Sequence, residues 1–145
     1  MSSQQEDILG QLSKVARLVK RDIDLVLSQH SLHTGQWALL KAVSLLEPVS
    51  QITLSKYLVI EKPAVTKTVA RLEELGFVSR QSVGRHRLVK LTPQARDSFD
   101  TIDAAVQAAH QTFLAGLSIE EQSVLETLMT RLLTTHRPVE QEELS

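Results

Sequence analysis

Hydrophobic positions along this chain recur at two different spacings, and the changes of spacing divide it into elements. From Glu6 to about Gln29, Ile8, Leu12, Val15, Val19 and Val26 return at helical intervals, and Leu9, Ala16, Ile23 and Leu27 widen the stripe. A helix apolar over so much of its surface wants more than one covering partner. Ser28-Gln-His-Ser-Leu-His33 is a polar break. Thr34 is then placed to cap a helix running to about Leu46, with Trp37, Leu40, Val43 and Leu46 turned inward and Trp37 as a core anchor. Glu47-Pro-Val-Ser50 reads as a short connector.

From Ser50 to Thr92 the pattern runs without a gap. The Ser50 hydroxyl can cap a short helix, on which Leu54 and Leu58, four apart, share a face. Tyr57 and Ile60 are expected to close the corner toward the next helix. That helix opens at Pro63, whose missing N–H had no partner in a first turn. Val65, Val69 and Leu72 form its inward stripe, Leu75 flanks it, and Gly76 stands where a left-handed C-cap is wanted. Phe77-Val78 and Leu88-Val-Lys-Leu91 can then pair as a hairpin, with Gly84 at a permissive turn position. Thr92 and Pro93 start a long helix carrying Phe99, Ile102, Val106, Ala109 and Phe113 as a heptad-like seam. Ser118-Ile-Glu-Glu121 is a capping box, and Val124, Leu125, Leu128, Met129 and Leu132 stripe the helix it opens. Pro138 ends that helix, and Glu140-Gln-Glu-Glu143 is an acidic tail.

These elements predict a mainly α (α+β) fold. A winged helix-turn-helix with a small β-hairpin wing occupies 34–92, dimerisation helices occupy 1–33 and 115–145, and a long helix over 93–114 links them. The first, fifth and sixth helices carry more apolar seam than one small chain can cover, so a homodimer through both chain ends is expected.

The face of the second short-module helix opposite Val65 is the informative one. At about 100° per residue, Pro63, Lys67, Ala70 and Arg71 point outward, with Ala64 and Thr66 at the edges. Small residues permit close approach, and hydroxyl and cationic donors reach base edges and phosphates. Lys62, Pro63, Ala64, Thr66 and Lys67 are therefore assigned to a DNA groove and Arg71 to phosphate or a base edge. Charge changes the picture further. Ile52 to Thr92 holds eight basic and three acidic residues, a net +5, whereas the whole chain is −1, so the remainder carries −6. A basic module in an acidic frame is an electrostatic footprint for nucleic acid. Arg85, His86 and Arg87 cluster at or near the tip of the hairpin, where arginine can enter a narrow minor groove.

Leu54-Ser-Lys-Tyr-Leu58, Lys62-Pro-Ala-Val-Thr66, Arg71-Leu-Glu-Glu-Leu-Gly-Phe-Val78, Leu91-Thr-Pro93 and the upstream Thr34-Gly-Gln-Trp37-Ala-Leu-Leu40, in this order, resemble the MarR/SlyA family of bacterial transcription regulators. With the flanking helices the resemblance spans nearly the whole chain. It implies an obligate homodimer, an all-helical frame bearing two winged modules, and binding of double-stranded DNA at pseudo-palindromic operators, in many members as a repressor released by a small aromatic or anionic ligand. It also implies a ligand crevice between frame and winged module, for which Lys14, Arg17, His30 and Trp37 are the candidates here. Family wings commonly carry Asp-Arg-Arg at a longer tip. Here the tip reads Val83-Gly84-Arg85 and is about three residues shorter, a deletion of the sort loops tolerate. Arg85 matches the family's minor-groove arginine, and the aspartate that steadies it is absent.

Composition narrows the alternatives. The chain has 145 residues, enough for one domain-sized unit, with 42% hydrophobic and 23% charged residues. Aromatics are only 3%, which speaks against base stacking on single strands. There is no cysteine, so disulfides, thiolate metal sites and, within this family, peroxide sensing by cysteine oxidation are excluded. No apolar run approaches the roughly 20 residues of a membrane span, and the start lacks a signal-peptide pattern, so a cytoplasmic protein without membrane partners is expected. A zinc-responsive regulator would need His30, His33 and His110 to converge, although three scattered imidazoles form no ligand motif. No cofactor is expected, and neither a glycine-rich phosphate loop nor an HExxH motif supports an enzyme. A protein-interaction module of the same fold would have no need of the +5 concentration.

Overall fold

Leu27, Leu39, Leu40, Leu54, Leu72 and Ile102 are among the largest side chains wholly removed from solvent, and they come from five different helices. The computed structural model describes residues 3–137, which divide into two units between His110 and Gln111. The chain runs α1 (Gln4–Ser28), α2 (Thr34–Leu46), β1 (Val49–Ser50), α3 (Gln51–Leu58), α4 (Lys62–Glu74), β2 (Val78–Val83), β3 (His86–Leu91), α5 (Pro93–Leu114) and α6 (Ile119–His136). Pro138 and the acidic tail lie outside the described residues.

In the first unit, helix starts are set by short polar side chains. Ser3 caps α1, accepting from the Glu6 N–H. The start of α2 differs from expectation. His33 is the N-cap, its Nδ1 accepting from the Gln36 N–H at 3.4 Å while Gln36 Oε1 accepts from the His33 N–H at 3.1 Å. Thr34 is the first helical residue instead, and both its N–H and its hydroxyl donate to Asp24 Oδ1, at 2.7 and 2.6 Å. The polar break before it also hides a core residue, Leu32.

Trp37, Leu40 and Val43 are buried as the periodicity requires, and Trp37 stacks on Phe99 with ring centroids 5.1 Å apart. Lys41 donates to both oxygens of Asp103 at 3.0 Å and lies 5.5 Å from the Phe99 ring centroid, tying α2 to α5. The α5 seam is covered within the chain as far as Ala109. Ile102 and Val106 are core residues and Phe99 and Ala109 are packed against them, whereas Phe113, the last seam residue, is half-buried and lies outside this core. On α1, by contrast, only Ile23 and Leu27 are buried, while Ile8, Leu9, Val15 and Leu18 remain exposed.

The connector after α2 is a strand rather than a loop. Following a cis Glu47–Pro48 peptide, β1 pairs with β3, and the sheet order is β1-β3-β2, antiparallel throughout. Glu47 joins this strand to its neighbours, its Oε1 accepting from the Leu91 N–H and from the Arg96 guanidinium.

The second unit centres on α6. Ser118 Oγ accepts from the Glu121 N–H and Glu121 Oε1 from the Ser118 N–H, the reciprocal capping box read from the sequence. No residue of α6 is buried, and Val124, Leu125, Leu128, Met129 and Leu132 all lie open on it.

Candidate nucleic-acid interface

Ser50 begins the helix-turn-helix, its hydroxyl accepting from the Thr53 N–H at 3.1 Å. The corner to α4 is closed by backbone rather than by side chains. Val59 adopts a left-handed conformation, the Ile60 N–H donates to the Ser55 carbonyl, and the Ser55 hydroxyl donates back to the Ile60 carbonyl at 2.6 Å. Tyr57 and Ile60, expected to close this corner, are exposed: Tyr57 lies three positions from Leu54, the buried residue of α3, and Ile60 contributes its backbone to the turn.

Val65, Val69 and Leu72 hold α4 against the core, all wholly buried. That fixes which face is free. Lys62, Pro63, Ala64, Thr66, Lys67 and Arg71 are exposed together, while Ala70, expected on that face, is half-buried. Glu61 precedes the helix without using its side chain as a cap, so the first-turn N–H groups are left without a side-chain acceptor. The Thr66 hydroxyl lies 2.9 Å from Gln51 Oε1 and 3.1 Å from the Lys62 carbonyl, so Gln51 at the start of α3 belongs to the same surface. Sequence spacing does not reveal Gln51, which is fifteen positions from Thr66. Arg71 pairs with Glu74 at 3.1 Å, an exposed contact of little energetic weight that leaves the guanidinium free to exchange partners.

α4 ends in a Schellman motif. The Phe77 N–H donates to the Leu72 carbonyl and the Gly76 N–H to the Glu73 carbonyl, with Gly76 at φ +83°. The Thr92 hydroxyl, 2.6 Å from the Gly76 carbonyl, locks the far end of β3 onto this turn and also caps α5 through the Ala95 N–H.

The wing is longer than the sequence reading. Six residue pairs join β2 to β3, from Val78 opposite Leu91 to Val83 opposite His86, and only Gly84 and Arg85 form the turn. Gly84 at φ +62° occupies the first central position, the place for glycine in a type II′ turn. Arg85, His86 and Arg87 are all exposed. They do not form one cluster, since only Arg85 is in the turn and successive strand residues His86 and Arg87 point to opposite faces of the hairpin.

Arg80 departs from the charge footprint. It stands on the same face of β2 as buried Val78 and donates to Glu73 Oε1 from Nη2 at 2.7 Å and from Nε at 3.2 Å. This hydrogen-bonded pair holds the Glu73 carboxyl below its ordinary range and the Arg80 guanidinium above its own. Counting from Val78 in twos places Arg80 inward, a signal that the summed charge of the stretch conceals.

The candidate ligand residues are not brought together. Trp37 is buried in the core, Lys14 and Arg17 are exposed on α1, and His30 is half-buried just beyond that helix. A groove on α1 is lined by Arg17, Lys20, Arg21, Asp24, Leu25 and Ser28, and so contains only Arg17 of the four. His33 is engaged as the cap of α2, and among the described residues no three His, Cys, Asp or Glu side chains gather where they could hold a metal. No described helix is long and apolar enough to cross a membrane.

A profile described as the MarR family matches residues 30–87. The HTH-type transcriptional regulator YwoH of Bacillus subtilis is 29% identical over 135 residues, covering 92% of this chain and 98% of that protein. A mutant MarR from E. coli, solved in complex with operator DNA, is 27% identical with a TM-score of 0.80, covering 91% of this chain and 99% of that one. CouR from Rhodococcus jostii, solved bound to p-coumaroyl-CoA, shares the fold with a TM-score of 0.80 at 24% identity, over 98% of this chain and 100% of that one.

Proposed function

We propose that this chain, which belongs to the MarR family of winged helix-turn-helix DNA-binding transcriptional regulators and is not an enzyme, acts as a homodimeric repressor of pseudo-palindromic operators. The observation that carries the reading is the free face of α4. Lys62, Pro63, Ala64, Thr66, Lys67 and Arg71 are exposed together on a helix whose other side is anchored by Val65, Val69 and Leu72. Pro63 and Ala64 allow the helix start to approach base edges, Thr66 and Lys67 supply donors there, and Arg71 reaches phosphate once it leaves Glu74. Arg85 at the wing turn enters the adjacent minor groove. Two such helices, one from each subunit, read half-sites about 10 bp apart centre to centre. A cytoplasmic location follows from this role.

Selection from random duplex DNA, followed by anisotropy across a salt series, tests the proposal. Enrichment of an inverted repeat with half-sites a turn apart is expected. Lys67→Ala combined with Arg71→Ala should weaken binding by at least roughly tenfold and flatten the salt dependence, since each lost phosphate contact removes about one unit of slope. Unchanged affinity would remove α4 from the interface.

Release by a small anionic or aromatic ligand is the regulatory half of the proposal. CouR was solved with an aromatic acyl thioester, and the α1 groove here offers Arg17 beside the apolar Leu25. Lys20 and Arg21 in that groove contact Asp24 and Asp22 in exposed pairs that an anion can share, and Arg17 adds a third cation to it. A thermal-shift screen of phenolic acids and their thioesters, compared with Arg17→Ala, tests it. No shift with any compound would remove this half and leave the DNA-binding half standing.

A further inference from the structure

The ion pair between Glu73 and Arg80 sits at a mechanical boundary in the wing. Arg80 lies opposite Val89, which is in turn opposite Val49, so at this level β2, β3 and β1 stand abreast. Val89 and Val49 are buried. Beyond it β1 contributes only Ser50, opposite Leu88, and then ends. From Gln81 to Arg87 every residue is exposed. The projecting part of the wing is therefore a two-stranded ribbon, which has little stability of its own. Its direction depends on how its base is held.

Besides its pairing with β1 and the burial of Val78, Val89 and Leu91, two tethers tie that base to the end of α4. One is the Schellman turn with the Thr92 hydroxyl on the Gly76 carbonyl. The other is Glu73 with Arg80, a two-pronged contact from the last turn of α4 to the last fully anchored level of β2. The first fixes a point, and the second, displaced along both elements, fixes an angle. Arg87 shares the inward face of the hairpin, and its charge is felt by the Glu73 carboxylate as well.

The geometry points to Glu73 and Arg80 as positioning residues that set the angle between the reading helix and the wing, so that Lys67 and Arg85 of one subunit meet their grooves in register. Arg80 is then a brace and not a DNA contact, despite its place in the basic stretch. This inference rests on the DNA-binding reading above for its consequence in affinity. Its structural core is independent of that reading.

The two roles differ in sign at Glu73. Removing an acid from beside a DNA-binding face strengthens binding if charge alone matters. Removing one end of a brace weakens it. We therefore expect Glu73→Ala and Arg80→Ala each to lower operator affinity roughly fivefold, with the double variant no worse than either alone, as for residues acting through one contact. Arg85→Ala should lose most of its effect in the Glu73→Ala background, because a wing that has lost its angle no longer delivers the arginine. Exchange of charges, Glu73→Arg with Arg80→Glu, should restore much of the affinity. Tighter binding by Glu73→Ala, or an unchanged cost of Arg85→Ala in that background, overturns the inference. Amide exchange without DNA provides the second measurement. The N–H groups between Gln81 and Leu88 should exchange several-fold faster in Glu73→Ala, whereas those of α2 should not, which also certifies the fold. Unchanged exchange in the wing overturns the brace even if the wild-type chain binds no operator. Faster wing exchange with no operator binding by the wild type would keep the brace and sink the DNA-binding reading.

Discussion

Asp24 accepts from the Thr34 N–H, the Thr34 hydroxyl and the Lys20 ammonium, and these bonds lower its carboxyl from the ordinary 3.8 to about 2. The Thr34 hydroxyl is the largest cause and Lys20 the next. A depressed carboxyl stabilises the fold above its unfolded value and ceases to do so as pH falls through its folded value. The contribution is thus complete above about pH 4 and disappears toward pH 2. With the side chain 31% open to solvent, screening reduces it to about 1 kcal/mol. Asp24→Asn should lower the urea-derived stability by that amount at pH 7, and the difference from wild type should shrink as the pH is lowered toward 2. Val59 makes the opposite case, a residue that costs stability where it stands. Its φ of 56° and ψ of 49° belong to glycine, and the side chain is 53% exposed, so little packing is lost on truncation. Left-handed backbone costs a residue with a Cβ about 1–2 kcal/mol, of which glycine's extra chain entropy offsets part, so Val59→Gly should stabilise by roughly 0.5–1 kcal/mol in thermal or urea unfolding.

Among the elements, the junction of α4 with β2 carries the most consequence. Leu75, Gly76 and Phe77 are all that separate the reading helix from the wing, and Gly76 makes the reversal at φ +83°. A Cβ there would stand 3.3 Å from Gln94 Oε1 in addition to the backbone strain. Gly76→Ala should therefore cost about 1–2 kcal/mol in chemical denaturation and reduce operator affinity with it, since the Thr92 lock bears on the same carbonyl. The α4 stripe, its proline start, its glycine stop and the capping box of α6 were legible in the sequence because each depends on residues within a few positions of one another. The strand β1 was not, since Val49 and Ser50 acquire that character only by pairing with Val89 and Leu88. The same holds for Thr34, which any local reading makes a cap, but which Asp24 on the preceding helix draws into the first turn.

For the whole molecule, the decisive fact is where apolar surface remains uncovered. The α5 seam is spent on the chain's own core as far as Ala109, and most of the large apolar side chains left exposed among the described residues lie on the first and last helices. Ile8, Leu9, Val15 and Leu18 on α1, and Leu125, Leu128, Met129 and Leu132 on α6, are exposed. Exposed apolar stripes on this scale mark association surfaces, which supports the proposed homodimer. Leu128→Lys with Leu132→Lys should yield a monomer in sedimentation velocity at micromolar concentration. Operator affinity should then fall by roughly a hundredfold or more, because two half-site contacts no longer act as one binding event. A dimer that survives both lysines would place the interface elsewhere.

The sequence by itself determined the kinds and order of the helices, the buried stripe of α4 and hence its free face, because periodicity and caps are short-range properties of the chain. It also determined that the module between Ile52 and Thr92 is basic against an acidic remainder. Only the tertiary structure decided which of those charges face outward. Arg80 counts as one more cation in the sequence, yet it lies beside Glu73 because strand alternation and the Gly76 turn bring two residues seven positions apart into contact. Likewise the burial of Trp37 was legible from its place on the α2 stripe, but its stacking partner, Phe99 on α5, was not. Partners distant in sequence are chosen by how elements pack, and packing is a property of the folded chain as a whole.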